Sequence, residues 1–137
     1  MIFREFEIED INKGLLETYQ EIWKLDYINS EIITNFLKND NLMYVCEYNN
    51  QIIASATLHL QKKIIRNGGI VGMIEDVIVR ESFRNNKIGE KLINHLVEKC
   101  KEIGCYKIIL SCFEERVNFY KRCGFYEESK TMRINLK

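Results

Sequence analysis

The stretch Ile74–Gly89, reading IEDVIVRESFRNNKIG, restricts the chain to folds in which a strand runs into a tight polar loop and on into a helix. Ile74, Val77, Ile78 and Val79 form a short β-branched run with two carboxylates, Glu75 and Asp76, set inside it. Arg84-Asn85-Asn86-Lys87-Ile88-Gly89 is polar and ends where a helical pattern begins. Backbone N–H groups and the positive end of the helix dipole converge at such a junction, so it suits an anion. The loop has no GxxxxGK followed by Ser or Thr, which excludes a nucleotide P-loop. It has no GxGxxG either, which argues against a dinucleotide site.

The segments on either side extend this unit. From Lys87, the apolar set Ile88, Leu92, Ile93, Leu96, Val97 and Cys100 marks one buried helical face, and Gly104 is its natural stop. Tyr106–Cys112 reads as a strand parallel to the one before the helix, a βαβ unit. Upstream, Met43–Tyr48 and Gln51–Leu60 read as strands joined by the two-residue turn Asn49-Asn50. Lys62–Ile65 extends the second of them, and Arg66-Asn67-Gly68-Gly69 turns back into Ile70–Val79. Ile2–Glu7 suits a first strand, followed by a helix capped by Asp10 and carrying Ile11, Leu15, Leu16, Tyr19, Ile22 and Trp23. Tyr19 and Trp23 suit core packing, or alternatively the wall of a substrate cleft. Ser30 caps a second helix with Ile32, Ile33, Phe36 and Leu37 inward. Glu115–Cys123 is a short helix stopped by Gly124, and Phe125–Leu136 offers a last strand or two.

The resulting order, β-α-α-β-β-β-α-β-α-β, predicts an α/β (α+β) fold: one domain over residues 1–137, with a mixed central sheet and helices on both faces. With 46% hydrophobic residues, the 137-residue chain can build a substantial core. Lys+Arg and Asp+Glu balance at 20 each, so no bulk field favours nucleic acid or an anionic membrane. No apolar run approaches the roughly 18–20 residues of a bilayer span. MIFREFEIED lacks the pattern of a secretory signal. Five cysteines without a C-x-x-C suit a reducing cytosol, so a cytoplasmic location is expected. Two histidines and no clustered cysteines predict no metal.

The loop also fits the pattern Gln/Arg-x-x-Gly-x-Gly/Ala, with Arg84 and Gly89 at its ends and Lys87 where glycine is usual. Its neighbours are Ile74-Glu75-Asp76-Val77 before it, Cys105-Tyr106-Lys107-Ile108-Ile109-Leu110 after the helix, and then Val117-Asn118-Phe119-Tyr120-Lys121-Arg122-Cys123-Gly124-Phe125. Together, and with Lys63-Ile64-Ile65-Arg66 upstream, they resemble the GCN5-related N-acetyltransferase (GNAT) family, in its glucosamine 6-phosphate N-acetyltransferase branch. The similarity is carried by roughly residues 50–126 and is thin over the first 45. It implies an enzyme that moves acetyl from acetyl-CoA to an amino-sugar phosphate, and a homodimer that exchanges C-terminal strands, for which the tail 126–137 is suited.

Acetyl transfer to an amine requires a held cofactor, a deprotonated nucleophile, a steadied oxyanion and a protonated leaving thiolate. By resemblance, Val77, Ile78 and Val79 pair with the pantetheine arm, while Arg84 and the amides of Asn85, Asn86, Lys87, Ile88, Gly89 and Glu90 hold the pyrophosphate. Ser111 and Asn118 lie on the same cofactor. Lys87 gives up the freedom of glycine, yet its ammonium suits a phosphate. Glu75 is assigned to orient the acceptor's amine or hydroxyls, and Asp76, largely through its backbone, to receive the amine proton. Adjacent residues of a strand face opposite sides, so both reach one cleft only across a bulge, which the resemblance implies. Tyr120, a phenol protonated at neutral pH, serves the leaving thiolate. Lys63, Ile64, Ile65, Arg66, Tyr106, Lys107 and, from the tail, Arg133 are expected around the phosphorylated sugar. Ser111 stands in place of an acidic residue, and Arg116 near an expected asparagine. A Cys112–histidine nucleophile is disfavoured, because neither His59 nor His95 is placed to activate the thiol. The same chemistry on a protein N-terminus, lysine or polyamine, or a non-catalytic acetyl-CoA sensor, are the alternatives.

Overall fold

The computed structural model describes all 137 residues. Five strands, β1 (Ile2–Glu5), β2 (Asn41–Tyr48), β3 (Gln51–Lys62), β4 (Ile70–Val79) and β5 (Lys107–Leu110), lie side by side in sequence order. All neighbours are antiparallel except β4 and β5, which are parallel and joined by the long helix α4 (Ile88–Ile103). The expected mixed sheet and βαβ unit are therefore present. α4 buries Ile88, Leu92, Ile93, Leu96 and Cys100 against Ala54, Ala56, Leu58 and Ile74 on one face of the sheet. Small residues let it come close: a Cβ on Gly72 would lie 2.7 Å from the Cys100 sulfur. On the other face, α1 (Leu15–Gln20) and α2 (Ser30–Leu37) cover a smaller core of Leu15, Ile33, Met43, Val45 and Ile52.

β3 is buried over Ile52–Leu58 because both faces are covered. Asn49 and Asn50 take positive φ values of 49° and 61°, as a tight hairpin turn requires. The register then slips by one residue between Cys46 and Glu47, so Tyr48 pairs with Gln51 but Asn41 with His59. Ile52 packs into one core and Ile53 into the other by ordinary alternation, and the extra residue at the slip lets Ile53 and Ala54 share the same core.

Five expectations change. The helix from Asp10 to Trp23 is two pieces, a 3₁₀ turn at Ile8–Asn12 and then α1, broken at Gly14 with φ 77°. Asp10 is not the cap but the residue inside it; its side chain accepts from the Glu7 amide at 2.8 Å. Likewise Asn29 rather than Ser30 caps α2, accepting from the Ile32 amide. β3 ends at Lys62, and the turn α3 (Ile65–Gly68) carries Arg66, Asn67 and Gly68 at φ 57°, 54° and 76°. No strand follows α5 (Val117–Arg122): the tail 126–137 is exposed and pairs with no strand of its own chain.

Asp10 anchors the first corner. Its carboxylate is fully buried and takes both terminal nitrogens of Arg4 at 2.8 Å, while Arg4 also reaches Glu47. Burial pushes the Asp10 carboxyl up, but the Arg4 guanidinium, the Glu7 amide and Lys13 outweigh it and hold it below the usual range. A carboxylate held low in the folded state contributes stability above its unfolded pKa of about 3.9, and that stability is lost as pH falls through the folded value. Asp10→Asn is expected to cost about 3 kcal/mol at neutral pH, the low end for breaking a buried pair because Arg4 is partly exposed. Urea unfolding should show the gap to wild type narrowing in acid below about pH 4.

Candidate active site

β4 carries a bulge. Ser55 pairs with Ile78 and Thr57 with Glu75, so Asp76 and Val77 together oppose Ala56. Asp76 takes the left-handed conformation, φ 51°, and Thr57 Oγ1 donates to the Glu75 carbonyl at 2.9 Å. The extra residue shifts the pleat: Ile74 and then Val77 and Val79 pack toward α4. On its other side β4 pairs with β5 only from Val71 to Ile74. Beyond that point Glu75–Val79 has no strand on that side, and the sheet opens between its last two strands.

The loop after β4 closes one end of this opening. Arg84 Nε donates to the Val79 carbonyl at 3.1 Å, and Asn86 donates to the Phe83 carbonyl at 3.2 Å. Lys87 is the N-cap of α4 with φ 59°, and no side chain caps the helix. The amides of Ile88, Gly89 and Glu90 precede the first ladder bond, Lys91 to Lys87, and are free for a ligand. Here glycine eases a tight contact: a Cβ on Gly89 would lie 3.2 Å from the Phe119 ring.

Phe119 in turn meets Tyr120 edge-on at 4.9 Å, and Phe125 lies 6.0 Å from Tyr120 on another side. Burial, with the thiols of Cys112 and Cys123 nearby, pushes the Tyr120 phenol up to about 12, against a smaller opposing pull from Arg116. Cys112 is also pushed up, by burial and by Glu114 and Glu127. Its expected isolation from histidine holds: His95 stacks on Phe3 at 5.3 Å, and His59 points to Asn41. Asn118 is exposed on α5, and Ser111 is taken up by Thr131 of the tail at 2.6 Å.

The opposite face of β4 gathers the carboxylates. Glu75 is half exposed, and its Oε2 lies 3.6 Å from His59 Nε2. α1 sits over this region because Arg80, just past β4, bonds Thr18 Oγ1 at 2.6 Å and the Gly14 carbonyl at 2.8 Å. Tyr19 of α1 is pushed up by burial, with a further push from the Asp76 charge, so Asp76 lies on this side as well. Tyr19 also bonds the buried Ser55 at 3.3 Å and stands 5.3 Å from Trp23. Core packing and a place at the cleft wall thus meet in Tyr19, which is mostly buried yet lies near the Asp76 charge.

Of the basic group, the fold brings two members, Arg66 and Lys107, together on one tyrosine ring. The Arg66 guanidinium lies over the Tyr106 ring at 4.9 Å, and Lys107 Nζ lies 5.9 Å from it. Gly69 makes the room, since a Cβ there would be 2.7 Å from the same ring. Lys63 is exposed nearby in sequence, with Ile64 97% and Ile65 61% exposed beside it. Lys107 pairs in register with Val71, four residues before Glu75, about 13 Å at strand spacing. Arg133 lies in the tail, bonded to Asn135 at 2.7 Å, and joins none of these contacts. No three His, Cys, Asp or Glu side chains gather as a ligand set. His59 and Asn41 enter no sequence motif; only the register slip in β2 and β3 places them opposite each other.

Residues 8–125 match the family model described as the acetyltransferase (GNAT) family. The chain is 35% identical to glucosamine 6-phosphate N-acetyltransferase 1 of Dictyostelium discoideum, over 98% of this chain and 90% of that one. The crystal structure of glucosamine-6-phosphate N-acetyltransferase from Arabidopsis thaliana superposes with a TM-score of 0.92 and 31% identity, over 99% of this chain and 98% of that one. An acetyltransferase from Trypanosoma brucei superposes equally well, at 0.92 and 31% identity, over 98% and 99% of the two chains.

Lys87 bears a left-handed backbone that costs a side-chain residue about 1–2 kcal/mol, partly offset by the entropy glycine would lose. Lys87→Gly is therefore expected to raise unfolding stability by about 0.5–1 kcal/mol, whereas Lys87→Ala gives no gain; paired urea titrations separate the two.

Proposed function

The chain belongs to the acetyltransferase (GNAT) family, and from that premise we propose that it acetylates the 2-amino group of glucosamine 6-phosphate to give N-acetylglucosamine 6-phosphate, toward UDP-N-acetylglucosamine, by direct transfer in a ternary complex. The observation that carries the reading is the arrangement along β4: an uncapped helix start at one end of the opened sheet, paired carboxylates at its bulge, and an Arg–Tyr–Lys cluster about 13 Å further back. The acceptor is supported by the relatives of known name that cover almost the whole chain.

Acetyl-CoA fits the opening. The β4 edge from Glu75 to Val79 lacks a strand partner, and the start of α4 offers three amides beside Arg84 and Lys87. Val77, Ile78 and Val79 would hold the pantetheine arm as a strand is held, and Asn85–Glu90 the pyrophosphate. When bound, acetyl-CoA supplies the acetyl group activated as a thioester. Lys63, Arg66 and Lys107 draw in the phosphate dianion, and Tyr106 gives the sugar a flat wall. Glu75 orients the ammonium or the hydroxyls. The Asp76 backbone, turned outward by its left-handed conformation, accepts from an amine N–H.

Tyr120 faces the leaving sulfur as a donor. Its phenol, pushed up to about 12 by burial, stays protonated at neutral pH and offers the leaving thiolate a hydrogen bond or a proton. The tail supports a homodimer built by strand exchange: Met132, Ile134 and Leu136 alternate with polar residues and are each more than 80% exposed in the single chain. Five free cysteines suit the reducing cytoplasm.

Thiol release from acetyl-CoA should be measured with glucosamine 6-phosphate, unphosphorylated glucosamine and a small peptide panel. Release with the phosphorylated sugar alone is expected; release with peptides alone would discard this acceptor, and acetyl-CoA binding without release would favour a sensor. Arg66→Glu with Lys107→Glu should raise KM for the sugar phosphate while leaving KM for acetyl-CoA near wild type. Tyr120→Phe should lower kcat about 10²-fold, the usual loss of one preorganised donor.

A further inference from the structure

A carbonyl can accept a hydrogen bond from an ammonium but cannot carry its proton away, so the Asp76 backbone leaves the acceptor's deprotonation without a titratable partner. A chain of side chains on the α2 side of the sheet provides one. Asn41 Nδ2 donates to the Phe36 carbonyl at 3.0 Å, which can only accept, and this fixes the orientation of the Asn41 amide. Its Oδ1 therefore faces His59 Nδ1 at 2.9 Å, and Nδ1 must be the nitrogen that carries hydrogen. In the neutral ring this leaves the lone pair on Nε2, which lies 3.6 Å from Glu75 Oε2.

Two acceptors facing each other at that separation repel unless a donor sits between or beside them. The Phe36 ring packs edge-on against His59 at 5.5 Å and holds it in place. The His59 and Glu75 side chains keep 28% and 49% of their exposure, so a ligand can reach both. The charged group facing the ring is Glu75 of β4, and at the neighbouring end of β2 and β3 the Asp40–Lys62 pair is closed on itself at 3.3 Å. α2 contributes the Phe36 ring.

We propose that His59 Nε2 and the Glu75 carboxylate form the seat of the acceptor's ammonium, and that His59 is the base that takes its proton. The inference rests on the amino-sugar reading above. In the step, one N–H bond of the ammonium breaks and its proton joins the Nε2 lone pair, leaving a neutral amine and an imidazolium paired with Glu75. The positive charge moves from one neighbour of that carboxylate to another, so no charge is separated. After product leaves, the Nε2 proton passes to solvent.

The test is the pH dependence of kcat/KM for glucosamine 6-phosphate in the wild type, His59→Gln and His59→Asn. The variants should lose about 10²-fold near neutral pH and recover most of it above about pH 8, where the amine is already deprotonated in solution. Acetyl-CoA binding should be unchanged. A loss equal at all pH values, or wild-type rates at neutral pH, overturns the proposal. A second measurement needs no variant: the chain has two histidines, and in the folded wild type the His59 ring resonance should change its titration when glucosamine 6-phosphate binds, while His95, stacked on Phe3, should not. An indifferent His59 overturns the proposal even if the variants do not fold. A wild type that releases thiol only with another amine of the panel overturns the acceptor instead, and the same pH series on that amine then decides the base.

Discussion

One extra residue in β4 governs what this sheet can do. Without the bulge at Asp76, the alternation that buries Ile74 against α4 would carry Asp76 into the same core. An unpaired carboxylate there would cost several kcal/mol. With the bulge, Val77 and Val79 continue the apolar face, and both carboxylates are released to the side covered by α1. The same irregularity coincides with the point where β5 leaves β4. A strand that is fully paired to Ile74 and paired on one side thereafter keeps rigid support while offering a row of free backbone groups.

The electrostatics follow the same division. The free amides of α4 lie at one end of the opening and the cations Arg66 and Lys107, gathered on the Tyr106 ring, at the other. The negative side chains, Glu75 and Asp76, sit between these ends, which is the charge order the proposed function uses. The balanced charge of the whole chain conceals this local order, because equal numbers of acids and bases say nothing about where each is placed.

Much of the architecture was legible because it depends on local pattern. The α4 periodicity, the Asn49-Asn50 turn and the strand–loop–helix junction each have one reading, and the structure contains all three. The errors have physical sources. Gly14 ends the 3₁₀ turn with a left-handed residue, so an apolar rhythm that looked continuous became two short pieces. The last strand was read from alternation at Met132, Ile134 and Leu136, but a strand needs a partner ladder, and no strand of this chain offers one. The Asn41–His59 contact was out of reach because counting back from the hairpin turn pairs His59 with Asp40; the slip at Cys46 moves it by one. The bulge itself came from family resemblance, not from the residues.

A Cβ at position 89 would come 3.2 Å from the Phe119 ring, and Phe119 meets Tyr120 edge-on at 4.9 Å. The start of α4 and the Tyr120 phenol are thus bridged by a single aromatic ring, although Gly89 and Tyr120 lie 31 positions apart in the chain. A close-packed contact of this kind transmits displacement because it cannot be compressed. The start of α4 and the phenol are therefore packed to one another through that ring, and in the proposed acetyl-CoA site the seating of the diphosphate would bear on how the hydroxyl meets the sulfur.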